Sequence, residues 1–155
     1  MKAERQISAS AQQVWSVIAD GWTYSQWVVG NSRMRAVDKD WPLPNTTIEH
    51  SIGVWPLVIN DRTIAEECKR YEGVVLLAEL GPFGAARITL RLFDNADGCR
   101  VEMEEVPVRG PMSLIPDFAA ELAVYPRNVE CLRRLAALAE RRQSSQAPEL
   151  APVSG

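Results

Sequence analysis

The chain has 155 residues, 46% of them hydrophobic and 24% charged, with 17 basic side chains against 20 acidic ones and a net charge of −3. One domain of ordinary size accounts for this length, and the composition excludes a wholly disordered chain and a disulfide-stapled miniprotein. An acidic chain with dispersed Lys and Arg makes no electrostatic case for nucleic-acid binding, and a single histidine, His50, excludes a multi-histidine metal site within the chain.

Residues 3–8 are extended in character. Ser10 and Gln13 form a capping-box pattern. Ala11, Val14, Trp15 and Ile18 then share one helical face up to the stop at Asp20-Gly21. A short second helix over 23–28 carries Tyr24 and Trp27, and Gly30-Asn31 breaks it. The pattern next turns to strands. Met34 and Ala36 alternate on one; past the loop holding Pro42 and Pro44, Ile48, His50 and Ile52 share a face of the next. Gly53 and Pro56 flank a turn that contains Trp55. Segment 57–67 is β-rich with polar groups on both faces, so either Asp61 or Arg62 points inward. Glu72-Gly73 leads into a strand over 74–80, and Gly81-Pro82-Phe83-Gly84 turns the chain again. Ala86, Ile88, Leu90 and Leu92 alternate with Arg87, Thr89 and Arg91, a half-buried strand. The loop over 94–98 is a hairpin connection, and Cys99, Val101 and Met103 are the apolar face of the return strand. Beyond an irregular Pro- and Gly-containing loop, Phe118, Leu122, Tyr125, Val129, Leu132, Ala136 and Ala139 predict one face of a long helix reaching about Arg142. Pro126 lies inside that pattern and predicts a kink or split. Residues 143–155 read as a disordered tail, which leaves 1–142 as the folded domain.

Cys68, Cys99 and Cys131 contain no C-x-x-C pair, so a structural zinc site and a disulfide are not expected. The polar N-terminus has no apolar core of a secretory leader. No stretch approaches the ~18 apolar residues of a membrane span. The expectation is a cytoplasmic protein without cofactor, metal or membrane span, monomeric or dimeric. No G-x-S-x-G and no phosphate-cradling glycine motif is present.

The element order is a strand, a helix pair, about six antiparallel strands at hairpin spacing and one long helix. An α+β fold in which a curved antiparallel sheet wraps the long helix on its concave face satisfies the apolar stripes. Such a sheet need not close fully on the helix, and an apolar cavity between the two is the kind of concave site small ligands use.

At the level of motifs, ISASAQQVWSVIADGWTYSQWVVG at the start, the Gly-Pro-Phe-Gly turn before ARITLRLF, the strand DGCRVEMEE and the closing RNVECLRRLAALAERR resemble the START-related superfamily. That superfamily has the helix-grip fold and includes polyketide cyclase/dehydratase-like proteins, lipid-transfer domains and the birch-pollen allergen. The resemblance covers about residues 3–142, and its closing segment is similar to an uncharacterised bacterial subgroup. It implies the helix-grip fold and a ligand cavity. It carries over no catalytic motif, because the same fold hosts carriers, cyclases, hydrolases and interaction modules.

The candidate ligand-binding residues are Trp27, His50, Trp55, Arg62, Met103, Glu105 and Tyr125. His50 shares parity with Ile48 and Ile52 and is suited to acid–base work or to a buried hydrogen bond. Glu105 continues the inward parity of Val101 and Met103; it is then paired, protonated or solvated, unless the strand ends first. Arg62 reads either as an inward anchor for a carboxylate or as an outer-face ion pair with a neighbouring Glu. Trp27 and Trp55 offer aromatic walls near the expected mouth, and Tyr125 is a further aromatic candidate. Arg127 and Asn128 read as ordering the chain after Pro126. The function expected is binding or transport of a small hydrophobic or aromatic molecule. A cyclase- or dehydratase-type enzyme using His50 with Glu105 or Asp61, and an interaction module with no small ligand, are the alternatives.

Overall fold

The computed structural model describes residues 2–54 and 56–146. The elements in order are β1 (Lys2–Ile7), α1 (Ala11–Ala19), α2 (Tyr24–Trp27), β2 (Asn31–Val37), β3 (Thr47–Val54), β4 (Leu57–Lys69), β5 (Gly73–Glu79), β6 (Ala85–Asn95), β7 (Gly98–Arg109) and α3 (Asp117–Gln146). The strands form one seven-stranded sheet in the order β1-β7-β6-β5-β4-β3-β2, with every neighbouring pair antiparallel. With the long C-terminal helix against the curved sheet, this is the α+β helix-grip fold.

Local sequence explains the element ends. The Ser10 hydroxyl accepts the Gln13 N–H at 3.2 Å and caps α1, satisfying an amide that the helix start leaves free. The reciprocal half of the capping box does not form; the Gln13 side chain bonds Gln146 near the end of α3 instead. The β6–β7 hairpin turns where expected, with Asn95 opposite Gly98. Gly84 and Gly110 have φ of +118° and +81°, in the region where only glycine is unstrained. A Cβ on Gly84 would lie 1.8 Å from the Arg109 carbonyl oxygen. The β5–β6 turn and the end of β7 thus touch backbone to backbone, which brings Phe83 and Met112 to one end of the sheet.

The core lies between the concave face and the helices. Leu76 of β5, Ile88 and Leu90 of β6 and Met103 of β7 are fully buried, as are Val14 and Val17 of α1. Each large apolar side chain contributes about 1.5–3 kcal/mol by leaving water. The inward face of β4, open from sequence, is the one bearing Asp61, Thr63 and Ala65, all buried. A bulge between Ala65 and Glu67 breaks strict alternation beyond it.

The long helix runs through Pro126 as one element, so of the two expected outcomes the split does not occur, and Pro126 is on the exposed side. It departs from expectation in two ways. It extends to Gln146, four residues past Arg142; the remainder of the expected tail, 147–155, lies outside the described residues. Its buried face is also different from the one the apolar pattern suggests. Asn128, Cys131, Leu132, Leu135, Ala136 and Ala139 are buried, whereas Phe118, Leu122, Tyr125 and Val129 are exposed. The apolar positions before and after Val129 lie on adjacent faces of the helix, and only the later set meets the sheet. No described helix is long and apolar enough to cross a membrane.

Candidate ligand cavity

Under the first half of α3 lies a partly enclosed cavity of about 320 Å³ with mostly apolar walls. The helix supplies Ala123, Val124 and Arg127, the sheet supplies His50, Ala78 and Glu105, and α2 supplies Tyr24. Phe83 and Met112, brought together by the glycine contact described above, line it as well.

Each polar group reaches the cavity for a local reason. His50 sits on β3 with Ile48 and Ile52, and this face is the inward one; the side chain is 1% exposed. Its Nε2 lies 2.9 Å from Thr63 Oγ1 on the neighbouring strand. The Tyr24 hydroxyl lies 3.2 Å from the same oxygen, so Thr63 links the two rings. Nδ1 of His50 is buried and has no hydrogen-bond partner in the protein. Burial pushes the His50 pKa down to about 4, and the Arg35 charge adds to the effect. Burial likewise pushes Tyr24 up to about 12, against the opposing hydrogen bond from Thr63. Both groups are therefore neutral at pH 7.

Glu105 lies opposite Ile88 of β6 and turns inward with Val101 and Met103, because β7 stays regular through this point. Its carboxylate pairs with Arg127 of α3 at 2.5 Å, and the two side chains are 6% and 30% exposed. Arg127 Nε also donates to the Val29 carbonyl at 3.0 Å. Burial works against the Arg127 charge, but the Glu105 carboxylate outweighs it and the pKa stands above its ordinary value. The Val29 N–H donates to the Cys131 sulfur at 3.3 Å. The segment after α2 is thus fastened to α3 from both sides of one residue.

The structure brings together His50 and Glu105 of the residues singled out from sequence. Trp27 is buried and packs edge-to-face on Tyr24 at 5.4 Å, and Tyr24 in turn lies 5.5 Å from the His50 ring; Trp27 stands one aromatic layer away from the cavity. Met103 is fully buried in the core, two residues before Glu105 on the same face. Tyr125 is 38% exposed, on the face of α3 turned away from the sheet. Arg62 is on the outer face of the sheet, where its Nε bonds Glu79 at 2.5 Å. Its neighbour Asp61 has inward parity but lies beyond the last β4–β5 pair, Thr63 opposite Ala78. There it lines a separate polar cleft with Arg62 and Glu79, and burial raises its pKa. Trp55 lies outside the described residues. The polar side chain that sequence reasoning assigned to another job is Arg127. Its signal was present: an Arg beside Ala123 and Val124 on a helix that must face a strand carrying an inward Glu.

Residues 1–140 match the family model for polyketide cyclase / dehydrase and lipid transport, and the chain belongs to that family. No curated protein matches it. Among solved structures, protein NE0264 of Nitrosomonas europaea superposes with a TM-score of 0.72 at 11% identity, covering 93% of this chain and 96% of that one. The Zhui aromatase/cyclase of Streptomyces sp. R1128 gives 0.70 at 17% identity, covering 92% and 94%. The di-domain ARO/CYC StfQ of the steffimycin biosynthetic pathway gives 0.70 at 9% identity, with 93% of this chain matching 51% of StfQ. At these identities the likeness is one of fold alone.

Proposed function

We propose that this protein binds and carries a compact hydrophobic or aromatic molecule in the cavity beneath α3. The observation that carries the reading is the partly enclosed, mainly apolar space of about 320 Å³ with a polar corner made by His50, Glu105 and Arg127. Its volume is at the small end of the ~300–1,000 Å³ usual for ligand sites, which favours a compact ring system over a long acyl chain. Hiding ~300 Å² of apolar surface is worth about 7 kcal/mol before the cost of association, enough for weak to micromolar binding.

Carriage is favoured over the cyclase or dehydratase alternative by the protonation states. Acid–base groups work best with a pKa near the operating pH. His50 at about 4 and Tyr24 at about 12 are both displaced from neutrality, so they serve better as fixed hydrogen-bonding groups than as proton carriers. The aromatase/cyclase activity belongs to the structural neighbours that bear the name.

Calorimetric titration with uncharged naphthyl and anthraquinone compounds tests the reading. Saturable one-to-one binding is expected. Ala123→Trp, which places a large ring in the cavity from the helix side, should weaken it at least tenfold while the protein stays folded. A panel that shows no binding, or binding indifferent to Ala123→Trp, would overturn the reading.

A further inference from the structure

The cavity holds two opposite charges, and both are already spent on each other. Arg127 Nη1 lies 2.5 Å from Glu105 Oε2, and Arg127 Nε is taken by the Val29 carbonyl. A carboxylate ligand has two ways to enter. It can leave the pair intact and bring a third, uncompensated charge into a poorly solvated space. Otherwise it can displace Glu105, whose side chain is 6% exposed, and leave that carboxylate buried without a partner. Both outcomes leave a charge without a partner in a half-enclosed, mainly apolar space, which is unfavourable. An uncharged ligand meets neither obstacle.

Asn31 also lines the cavity, with its Oδ1 buried and unpartnered; a further polar feature, around His50, bears on what the ligand presents. Two groups, Tyr24 O–H and His50 Nε2, share the bridging hydroxyl oxygen of Thr63. If Tyr24 donates to Thr63 and Thr63 donates to Nε2, each hydroxyl proton is used. The imidazole, neutral at pH 7, then carries its proton on Nδ1, and Nδ1–H is the single group left over. The opposite order leaves two groups wanting, the Tyr24 proton and the bare Nδ1 lone pair. Sending both Tyr24 and His50 protons to Thr63 also leaves two, the Thr63 proton and Nδ1. Buried polar groups are rarely left unpaired, so the first order is favoured. It leaves a buried donor without a protein partner on a side chain that lines the cavity. A carbonyl oxygen is the matching group.

We propose that the Glu105–Arg127 pair acts as a charge filter, making the cavity selective for uncharged, carbonyl-bearing ring compounds and against their carboxylate counterparts. This rests on the ligand-carrier reading above and names the class of ligand it takes. Glu105 is the determinant, because it is the group that neutralises Arg127.

Two probes of nearly equal size and shape test it: 2-acetylnaphthalene and 2-naphthoate, each titrated calorimetrically at pH 7.5 into the wild-type protein and Glu105→Gln. The wild type should bind the ketone at least tenfold more tightly than the carboxylate. Glu105→Gln frees the arginine charge, and the ratio of naphthoate affinity to ketone affinity should rise at least tenfold. Glu105→Gln/Arg127→Gln restores neutrality and should return the preference to the ketone. If wild type binds naphthoate as tightly as the ketone, or a folded Glu105→Gln leaves the ratio unchanged, the filter is refuted while the carrier reading stands. If neither probe binds any of the proteins, the carrier reading and the filter fall together. Should Glu105→Gln not fold, the wild-type ratio still decides the matter.

Discussion

From Asn128 onward, α3 lays Cys131, Leu132, Leu135, Ala136 and Ala139 against the sheet and α1, and Arg142 fastens its far end through Asp20 at 2.7 Å. From Phe118 to Arg127 the same helix roofs a cavity. There it presents Ala123, Val124 and Arg127 to the space below and leaves Phe118, Leu122 and Tyr125 toward solvent. One half is held by close packing, where each missing methylene is felt. The other is held by an ion pair to Glu105, a hydrogen bond to Val29 and little apolar contact below. A stable scaffold and an open binding site make opposite demands on packing, and this helix meets them by dividing them along its length.

Substitutions in the packed half should have the largest effect. Leu135 is fully buried, and Leu135→Ala is expected to lower unfolding free energy by about 2–5 kcal/mol, measured by urea denaturation. A loss under ~1 kcal/mol would mean that this half too is loosely packed.

The polar floor beneath the other half should appear in the pH dependence of stability. His50 has a folded pKa of about 4 against an ordinary 6.5. Between those values the unfolded chain binds a proton that the folded protein does not. The His50 contribution is thus complete above pH 6.5 and is lost as the pH falls toward 4, by roughly 3 kcal/mol over the window. His50→Asn should flatten the stability profile between those pH values. An unchanged slope in the variant would show that His50 is readily protonated in the folded state.

The smallest effect is expected on the roof's outer face. Leu122 is 78% exposed, and Leu122→Ser should change stability by less than ~0.5 kcal/mol. A larger loss would show that this face is covered in solution, and the contrast between the two halves would need redrawing.

The same helix shows how far the sequence can be read. Its existence followed from apolar spacing, but not its facing. Phe118, Leu122, Tyr125 and Val129 continue at helical intervals into Leu132 and Ala136, and nothing in the spacing marks where the sheet beneath gives way to a cavity. Pro126 was expected to kink or split the helix; the split does not occur, and the helix continues past that residue on its exposed side. The inward direction of His50 and Glu105 was legible, because a strand of period two commits each side chain to a face once its neighbours are known to be buried. The same rule left Asp61 and Arg62 open, since both faces of β4 carry polar groups.

Taken alone, the sequence determined the element order, the antiparallel hairpins and the parity of β3 and β7, all of which rest on interactions within a few residues. It also determined the chemistry on hand: one histidine, acidic balance and several arginines in the long helix, Arg127 among them. Tertiary structure decided what these become. The Tyr24–Thr63–His50 bridge joins α2, β4 and β3, and the Glu105–Arg127 pair joins β7 to α3. The space they border is defined by how far the helix stands from the sheet. That separation is a property of packing among many side chains, and no local pattern encodes it.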